Sequence, residues 1–370
     1  VNIAFVTLRL LLGYGVDLVV HNLAARMAER KHTVTVYTMN RDEAYADAPY
    51  AVRTVEVPGS SANRAFPVFE RNALATLRRT EHDAHDVVVA CTFPFYCVKR
   101  AWDLPTVHFH FGNAPTTGFS RAGKMNWVWL ERREARVHLR DADAIFAISK
   151  FLQSCLPQAV RGKSRVIYPG GDHYLPAPSS DAREVFRREI GLQPDDVAML
   201  YVGRLKPGPQ PYKGVRDLVD VYESAKRHCP RLHLVMAGIG DAQDETRLKS
   251  QDVIALRNLP AAKMPALYAS CDFYATASKW EGFDLPIVEA AHFGKPSVAL
   301  SVGAHMEITT NVLAASLLEF ADGVRRLASD DAFRASEAKK AFKRAQAFTW
   351  ATAADAFEHG IMQMIIGSSK

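Results

Sequence analysis

The chain has 370 residues, 48% hydrophobic and 23% charged, with 21 glycines and 19 prolines. That is a globular composition, too long for one core, and it excludes a disordered or fibrous chain and a lone small module. The net charge of +6 lies in the first half: residues 1–175 carry 22 basic against 16 acidic side chains, and the remainder is balanced. A basic surface on one domain suits anionic lipid or a phosphorylated substrate; no nucleic-acid motif accompanies it, and a nucleic-acid partner is not expected.

The opening run Val1-Asn2-Ile3-Ala4-Phe5-Val6 reads as a strand and lacks the pattern of a secretory signal, and no apolar run approaches the roughly 20 residues of a bilayer span. Five scattered cysteines without a close pair are expected to be reduced thiols, which points to a cytoplasmic protein without a zinc site. Strand-like runs at 2–8, 33–37, 87–91, 106–111, 144–148 and 165–168 alternate with helical patterns such as Val16–Lys31, which carries Val20, Leu23, Ala24 and Met27 on one face. A polar, proline-containing stretch from His173 to Ser180 follows, the best linker candidate in the sequence, and the domain boundary is placed there. A second series then begins, with strands at 197–203, 232–238, 253–255, 273–276 and 297–300 and helices at 215–229, 263–270 and 285–293. Strands alternating with helices predict parallel sheets, so the expected class is α/β: two tandem Rossmann-like doubly wound domains, with ligand beyond the carboxyl ends of the strands in an interdomain cleft.

Gly13-Tyr14-Gly15 sits between the first strand and first helix, where glycines let the chain approach an anion. Leu18 occupies the place of the third glycine of a G-x-G-x-x-G fingerprint, which argues against a dinucleotide site. Gly203-Arg204 ends the first strand of the second domain, and Lys213-Gly214 follows just ahead of a helix, a placement of two cations that suits a diphosphate. Gly238 and Gly240 end the next strand. In Trp280-Glu281-Gly282-Phe283-Asp284-Leu285-Pro286-Ile287-Val288-Glu289, two carboxylates eight residues apart flank a glycine turn and a helix start, whose N–H groups could meet a ligand's hydroxyls or phosphate. In Thr106–Phe111, strand alternation puts His108 and His110 on one face, with His110 nearer the carboxyl end. No serine or cysteine stands in the context of a hydrolytic triad.

Glu281…Glu289 with its Gly-Phe-Asp-Leu-Pro insert, together with Gly203-Arg204…Lys213-Gly214, resembles the signature of the retaining GT-B glycosyltransferases (glycosyl transferases group 1), which include sucrose-phosphate synthases and bacterial mannosyl- and glucosyltransferases. Ala142-Asp143-Ala144 to Ile148-Ser149-Lys150, Val166 to Asp172, and Phe348-Thr349-Trp350 resemble further segments of that family, so the likeness covers nearly the whole chain. It implies an acceptor-binding domain over 1–172, a nucleotide-sugar-binding domain over 173–349, and a last helix, about 350–368, returning to the first. It also implies transfer of a hexose, with retention, from a UDP- or GDP-sugar to a glycan or lipid-linked acceptor, without cofactor or metal. On that resemblance Arg204 and Lys213 grip the diphosphate, Glu289 binds the ribose, and Glu281 with the backbone of Gly282, Phe283, Asp284 and Leu285 faces the donor sugar. Gly15, with Gly13, lets the first domain close on the phosphates, and His110 lies near the transferred sugar.

Asp284 stands where the family often has glycine, and Asn311-Val312-Leu313 runs on where it usually has a Gly-Leu-Leu-Val-type segment. The alternatives are a GT-B nucleotide-sugar epimerase, which needs further carboxylates in the cleft, and a catalytically silent sugar-nucleotide or lipid-binding protein. Between Arg121 and Arg140 six basic residues (Arg121, Lys124, Arg132, Arg133, Arg136, Arg140) face two acidic ones, with Trp127, Trp129 and Leu130 among them. That segment is a candidate interfacial helix for the inner face of an anionic membrane, the competing reading being that both tryptophans pack inside the domain.

Overall fold

Short apolar runs buried on both faces belong in the middle of parallel sheets, covered by helices on each side. The computed structural model describes residues 1–59, 65–82, 84–206, 210–308 and 310–368, and it places them so. The chain divides into two units, one comprising residues up to Pro169 together with the segment from Trp350, the other Gly170–Thr349.

The first unit holds β1 (Asn2–Leu10), β2 (Thr33–Arg41), β3 (Ala51–Thr54), β4 (Val87–Ala90), β5 (Thr106–His110), β6 (Ala144–Ala147) and β7 (Ser164–Val166) in the order β3-β2-β1-β4-β5-β6-β7, all parallel. Every residue of β4, β5 and β6 is buried, whereas β3 and β7 at the edges are not. Helix Trp350–Ser368 belongs to this unit: Phe357 packs on Phe5, Phe109 and Phe146 with ring centroids 5.5, 6.1 and 5.6 Å away, and Glu358 pairs with Arg30 and His32.

The second unit holds β8 (Val197–Val202), β9 (Leu232–Gly238), β10 (Ile254–Arg257), β11 (Phe273–Thr276), β12 (Ser297–Leu300) and β13 (Val312–Ala314), ordered β10-β9-β8-β11-β12-β13 and again parallel. Its chain enters and leaves side by side, the Phe348 carbonyl accepting from the Gly171 N–H (3.0 Å) and facing His292 Nε2 (2.9 Å). Strand order reverses between β1 and β4 and between β8 and β11, the places where a doubly wound sheet opens a crevice at its carboxyl edge.

Two edge strands and several helices, among them Phe66–Leu77, Ala242–Lys249, Leu317–Ser329 and Asp331–Ala345, are not predicted by the sequence reading. β3 and β13 are short and largely uncovered, so they carry neither an apolar run nor alternation. Helix Phe66–Leu77 opens on Phe66-Pro67, with proline in its first turn, a signal overlooked beside the polar residues before it. The polar stretch from His173 lies inside the second unit, which begins at Gly170.

At the carboxyl ends of β8 and β9 two backbones touch. Gly238 has φ +148°, and a Cβ there would lie 1.7 Å from the Gly203 carbonyl oxygen. Gly238→Ala is therefore expected to destabilise the protein by on the order of 3 kcal/mol or more, measured by denaturant unfolding; a change within 0.5 kcal/mol, the size of an ordinary surface substitution, would contradict this packing.

Candidate active site

Beyond β8, Gly203 and a half-buried Arg204 turn the chain away from the sheet. Lys213 closes the short turn Pro211–Lys213, and Gly214, at φ +63°, begins helix Val215–Lys226. A Cβ on Gly214 would stand 2.1 Å from the Ala277 carbonyl oxygen, and the Lys279 N–H donates to the Tyr212 carbonyl at 2.7 Å. The turn is thus held against the chain leaving β11. This clamp delivers Lys213 Nζ to 2.7 Å from Glu281 Oε1, with the lysine side chain 28% exposed and the carboxylate 5%. Burial disfavours the ammonium, but Glu281, with Asp284 behind it, outweighs that penalty and holds the Lys213 pKa above the ordinary lysine range. The Arg204 charge reaches Tyr212 in the same turn.

Asp284 precedes helix Leu285–His292, which has Pro286 in its first turn. Its Oδ2 lies 3.1 Å from His305 Nε2, and the other ring nitrogen, Nδ1, lies 2.8 Å from the Leu300 carbonyl oxygen. With an acceptor at each nitrogen, His305 is set up as a doubly donating imidazolium. Burial works against that charge, but Asp284 and then Glu281 outweigh it, so the His305 pKa is raised. Burial also raises the Glu281 carboxyl against the pull of Lys213. The Tyr201 hydroxyl beside this group is buried without a hydrogen-bond partner among the described residues.

Glu289 follows within the same helix and is also buried. Its Oε2 accepts from the Tyr268 hydroxyl, and its Oε1 stands 3.2 Å from His173 Nε2. The two carboxylates of the motif therefore have separate partners, with the buried Tyr274 ring of β11 under the influence of both.

In the first unit, Gly13 has φ +78° and Gly15 is the first residue of helix Gly15–Glu29. Asp17, in the first turn of that helix, accepts from the Leu11 N–H at 3.0 Å and from Arg9 Nε at 3.1 Å. Burial pushes its pKa up to about 6 despite these contacts. His108 and His110 both face Glu134, which follows helix Arg121–Arg133 in a wider turn, Glu134–His138, with i→i+5 hydrogen bonding.

Lys213, Glu281, Gly282 and Asp284 come together as one cluster, and Gly203 meets Gly238 backbone to backbone. His305, Tyr268, His173, Asp17 and Glu134 were not found from the sequence; each is separated from its partner by six or more residues, and no local spacing ties them. Two buried triads, His108–His110–Glu134 and Glu281–Asp284–His305, bring ligand-type atoms within 4.8 Å of one another. In both triads carboxylate and imidazole are paired with each other, and Lys213 lies against Glu281. Trp127 and Trp129 are half-buried against Phe119 and Phe93, at ring-centroid distances of 5.6 and 6.2 Å, while Met125 (73% exposed) and Val128 (40%) point outward.

Residues 14–175 match the family description "Glycosyltransferase Family 4" and residues 196–330 match "Glycosyl transferases group 1". The chain belongs to the GT-B glycosyltransferase family. A D-inositol 3-phosphate glycosyltransferase of Corynebacterium aurimucosum is 30% identical to it over 213 residues, 52% of this chain and 50% of that one. One from Corynebacterium efficiens is 26% identical over 284 residues, 70% of this chain and 66% of that one. The chain thus spans about half the length of the first of these relatives. The fold is shared with HepE of Anabaena, solved with UDP and glucose (TM-score 0.78, 21% identity, 98% of this chain and 99% of that one). It is shared too with sucrose-phosphate synthase of Thermosynechococcus elongatus (0.80, 18%, 99% of each). No helix among the described residues is long and apolar enough to cross a membrane.

The raised pKa of His305 makes its pairing with Asp284 stabilising in full below the ordinary histidine value of about 6.5, with the contribution lost as pH rises through the folded-state pKa. The stability difference between wild type and His305→Gln in denaturant titrations is expected to be largest near pH 5.5–6.5 and to shrink toward alkaline pH. A difference that grows with pH would rule out the charged pair.

Proposed function

We propose that the protein moves a hexose from a UDP- or GDP-sugar to a glycan or glycolipid acceptor, with retention at the anomeric carbon and without a metal. The observation that carries this reading is the Lys213–Glu281 pair at the carboxyl edge of the second sheet, beside the start of helix Leu285–His292. An ammonium has three N–H donors, so Lys213 can keep Glu281 and still hold phosphate oxygens. Arg204 and Lys213 then stabilise the departing diphosphate, an electrostatic contribution of about 3 kcal/mol per well-placed group.

In this reading Glu281 and the backbone from Gly282 through Phe283 and Asp284 to Leu285 face the donor sugar, and Glu289 takes the ribose hydroxyls. Gly13, Gly15, Gly203 and Gly238 allow close approach of the chain, and His110 contacts the transferred sugar. The acceptor attacks from the face the diphosphate leaves, and a diphosphate oxygen takes the acceptor proton. Residues 173–349 would bind the donor and 1–172 the acceptor. The UDP and glucose in the HepE structure support a sugar nucleotide as donor, and the names of the D-inositol 3-phosphate glycosyltransferases support glycosyl transfer. The enzyme would work at the cytoplasmic face of an anionic membrane. A groove of about 610 Å³ supports this, its apolar wall formed by Met125, Val128 and Trp129 and its rim by Lys124, Arg132 and Arg136.

Thermal unfolding with UDP, GDP, ADP, dTDP and CMP tests the donor. One diphosphate at about 100 times its Kd is expected to add roughly 2.7 kcal/mol of stability, an effect lost in Glu289→Ala; no shift with any nucleotide would count against the reading. Lys213→Ala is expected to lower kcat per folded molecule on the order of 10²–10³-fold and to destabilise the protein by leaving Glu281 buried without its partner, and near-normal turnover would remove the diphosphate role. Co-sedimentation with anionic liposomes at low salt is expected for wild type and not for Arg132→Glu/Arg136→Glu; equal behaviour of the two would exclude the groove as the docking face.

A further inference from the structure

Glu134 is among the most deeply buried carboxylates of the first unit, and the proposed reaction does not use it. Its side chain is 2% exposed, and it accepts from three donors: Oε1 faces His108 Nε2 and His110 Nδ1, each at 2.9 Å, and Oε2 accepts from Asn113 Nδ2 at 2.8 Å. Burial alone would raise this carboxyl. The hydrogen bonds from His108 and His110 outweigh it and hold the group well below the usual carboxylate range. An ionised carboxylate only accepts, so both imidazoles must present N–H to it.

For His108 the arrangement closes the ring in: its side chain is 1% exposed, and the Tyr96 ring packs on it with centroids 4.3 Å apart. His110 differs. It is the last residue of β5, keeps 9% of its side chain exposed, and has Nε2 outside the contact with Glu134. Glu134 itself is carried by the wider turn Glu134–His138, a deviation that often accompanies function. That turn buries Glu134 and His138 together, the second against Glu70 at 3.1 Å.

We propose that Glu134 is the positioning residue for His110, fixing its Nδ1–H tautomer so that Nε2 offers a lone pair to a hydroxyl of the transferred sugar. The tautomer of a histidine is set by the hydrogen bond its other nitrogen makes, and here that bond ends on a carboxylate locked by two further donors. His110 then accepts a hydroxyl proton rather than donating one, which favours a hexose with a free hydroxyl at that place over one whose oxygen is alkylated. His108 and Asn113 hold Glu134 and do not touch the sugar. The role of His110 toward the sugar rests on the proposed transfer reaction; the tautomer does not.

The test separates the two. Long-range ¹H–¹⁵N spectra of the whole protein labelled at histidine, with His110 assigned by comparison with His110→Asn, are expected to show one His110 tautomer, protonated at Nδ1. A His110 protonated at Nε2, or an even mixture, overturns the proposal whether or not any sugar is transferred. In Glu134→Gln the single tautomer is expected to be lost and kcat to fall on the order of 10²-fold with little change in donor KM; unchanged kcat overturns the positioning role. Should Glu134→Gln not fold, the wild-type spectrum still decides the tautomer. Asn113→Ala, which removes only the bond to Oε2, then supplies the kinetic arm, with a smaller fall in kcat expected and none overturning the proposal. Absence of turnover in wild type with every sugar nucleotide defeats the transfer reaction and leaves the spectrum to judge Glu134.

Discussion

Lys213 Nζ and Glu281 Oε1 meet at 2.7 Å between two segments that leave neighbouring strands, and the geometry at the carboxyl edge of the second unit's sheet depends on that contact. An unpaired carboxylate so deeply buried would cost several kcal/mol and would neutralise instead. The turn bearing Lys213 therefore has to lie against the segment bearing Glu281. Gly214 makes the approach sterically feasible, and the hydrogen bond from Lys279 to the Tyr212 carbonyl fixes it. Asp284 adds a second negative charge three residues on, and His305 answers it. With His305 protonated the four groups are neutral as a set, so the lysine is not committed to balancing two carboxylates alone.

The same constraint shapes the first unit with different residues. Glu134, Glu70 and Asp17 are all buried, and each faces cationic or imidazole donors, with backbone or amide N–H groups added at Glu134 and Asp17. Here histidine does much of what lysine does in the second unit. The consequence is chemical: a lysine partner leaves a fixed positive charge, whereas a neutral histidine leaves one nitrogen whose donor or acceptor character is decided by its neighbour. A charge suits a diphosphate, and a directed lone pair suits a hydroxyl.

The groove along helix Arg121–Arg133 shows how little composition says about orientation. Two tryptophans among six basic residues read as a membrane-facing helix, yet the tryptophans turn partly inward onto Phe119 and Phe93, and Met125 and Val128 supply the outward apolar surface. Lys124, Arg132 and Arg136 do stand beside that surface, as does Arg133, whose guanidinium also reaches Glu70 at 2.8 Å. Large rings gain most from burial, so where a domain offers an aromatic pocket they take it and leave thinner side chains outside.

The central strands, the alternation with helices and the parallel sheets were legible in the sequence, because runs of consecutive buried residues are mostly apolar, as in Val87–Ala90. The motif residues Lys213, Glu281 and Glu289 were legible for a similar reason: charged groups beside glycines and a helix start are locally unusual. Edge strands such as Ala51–Thr54 and Val312–Ala314 were not, since an uncovered strand imposes no pattern. Nor could the sequence say which partner satisfies each buried charge. His305 lies 21 residues from Asp284, His173 more than a hundred from Glu289, and Glu134 some twenty-five from its histidines. The sequence by itself determined the fold class through local periodicity, and through local motif it singled out Lys213, Glu281 and Glu289 as candidates. Only the tertiary structure decided which partners those side chains meet, because the partners lie on segments that folding alone brings within about 3 Å of each other.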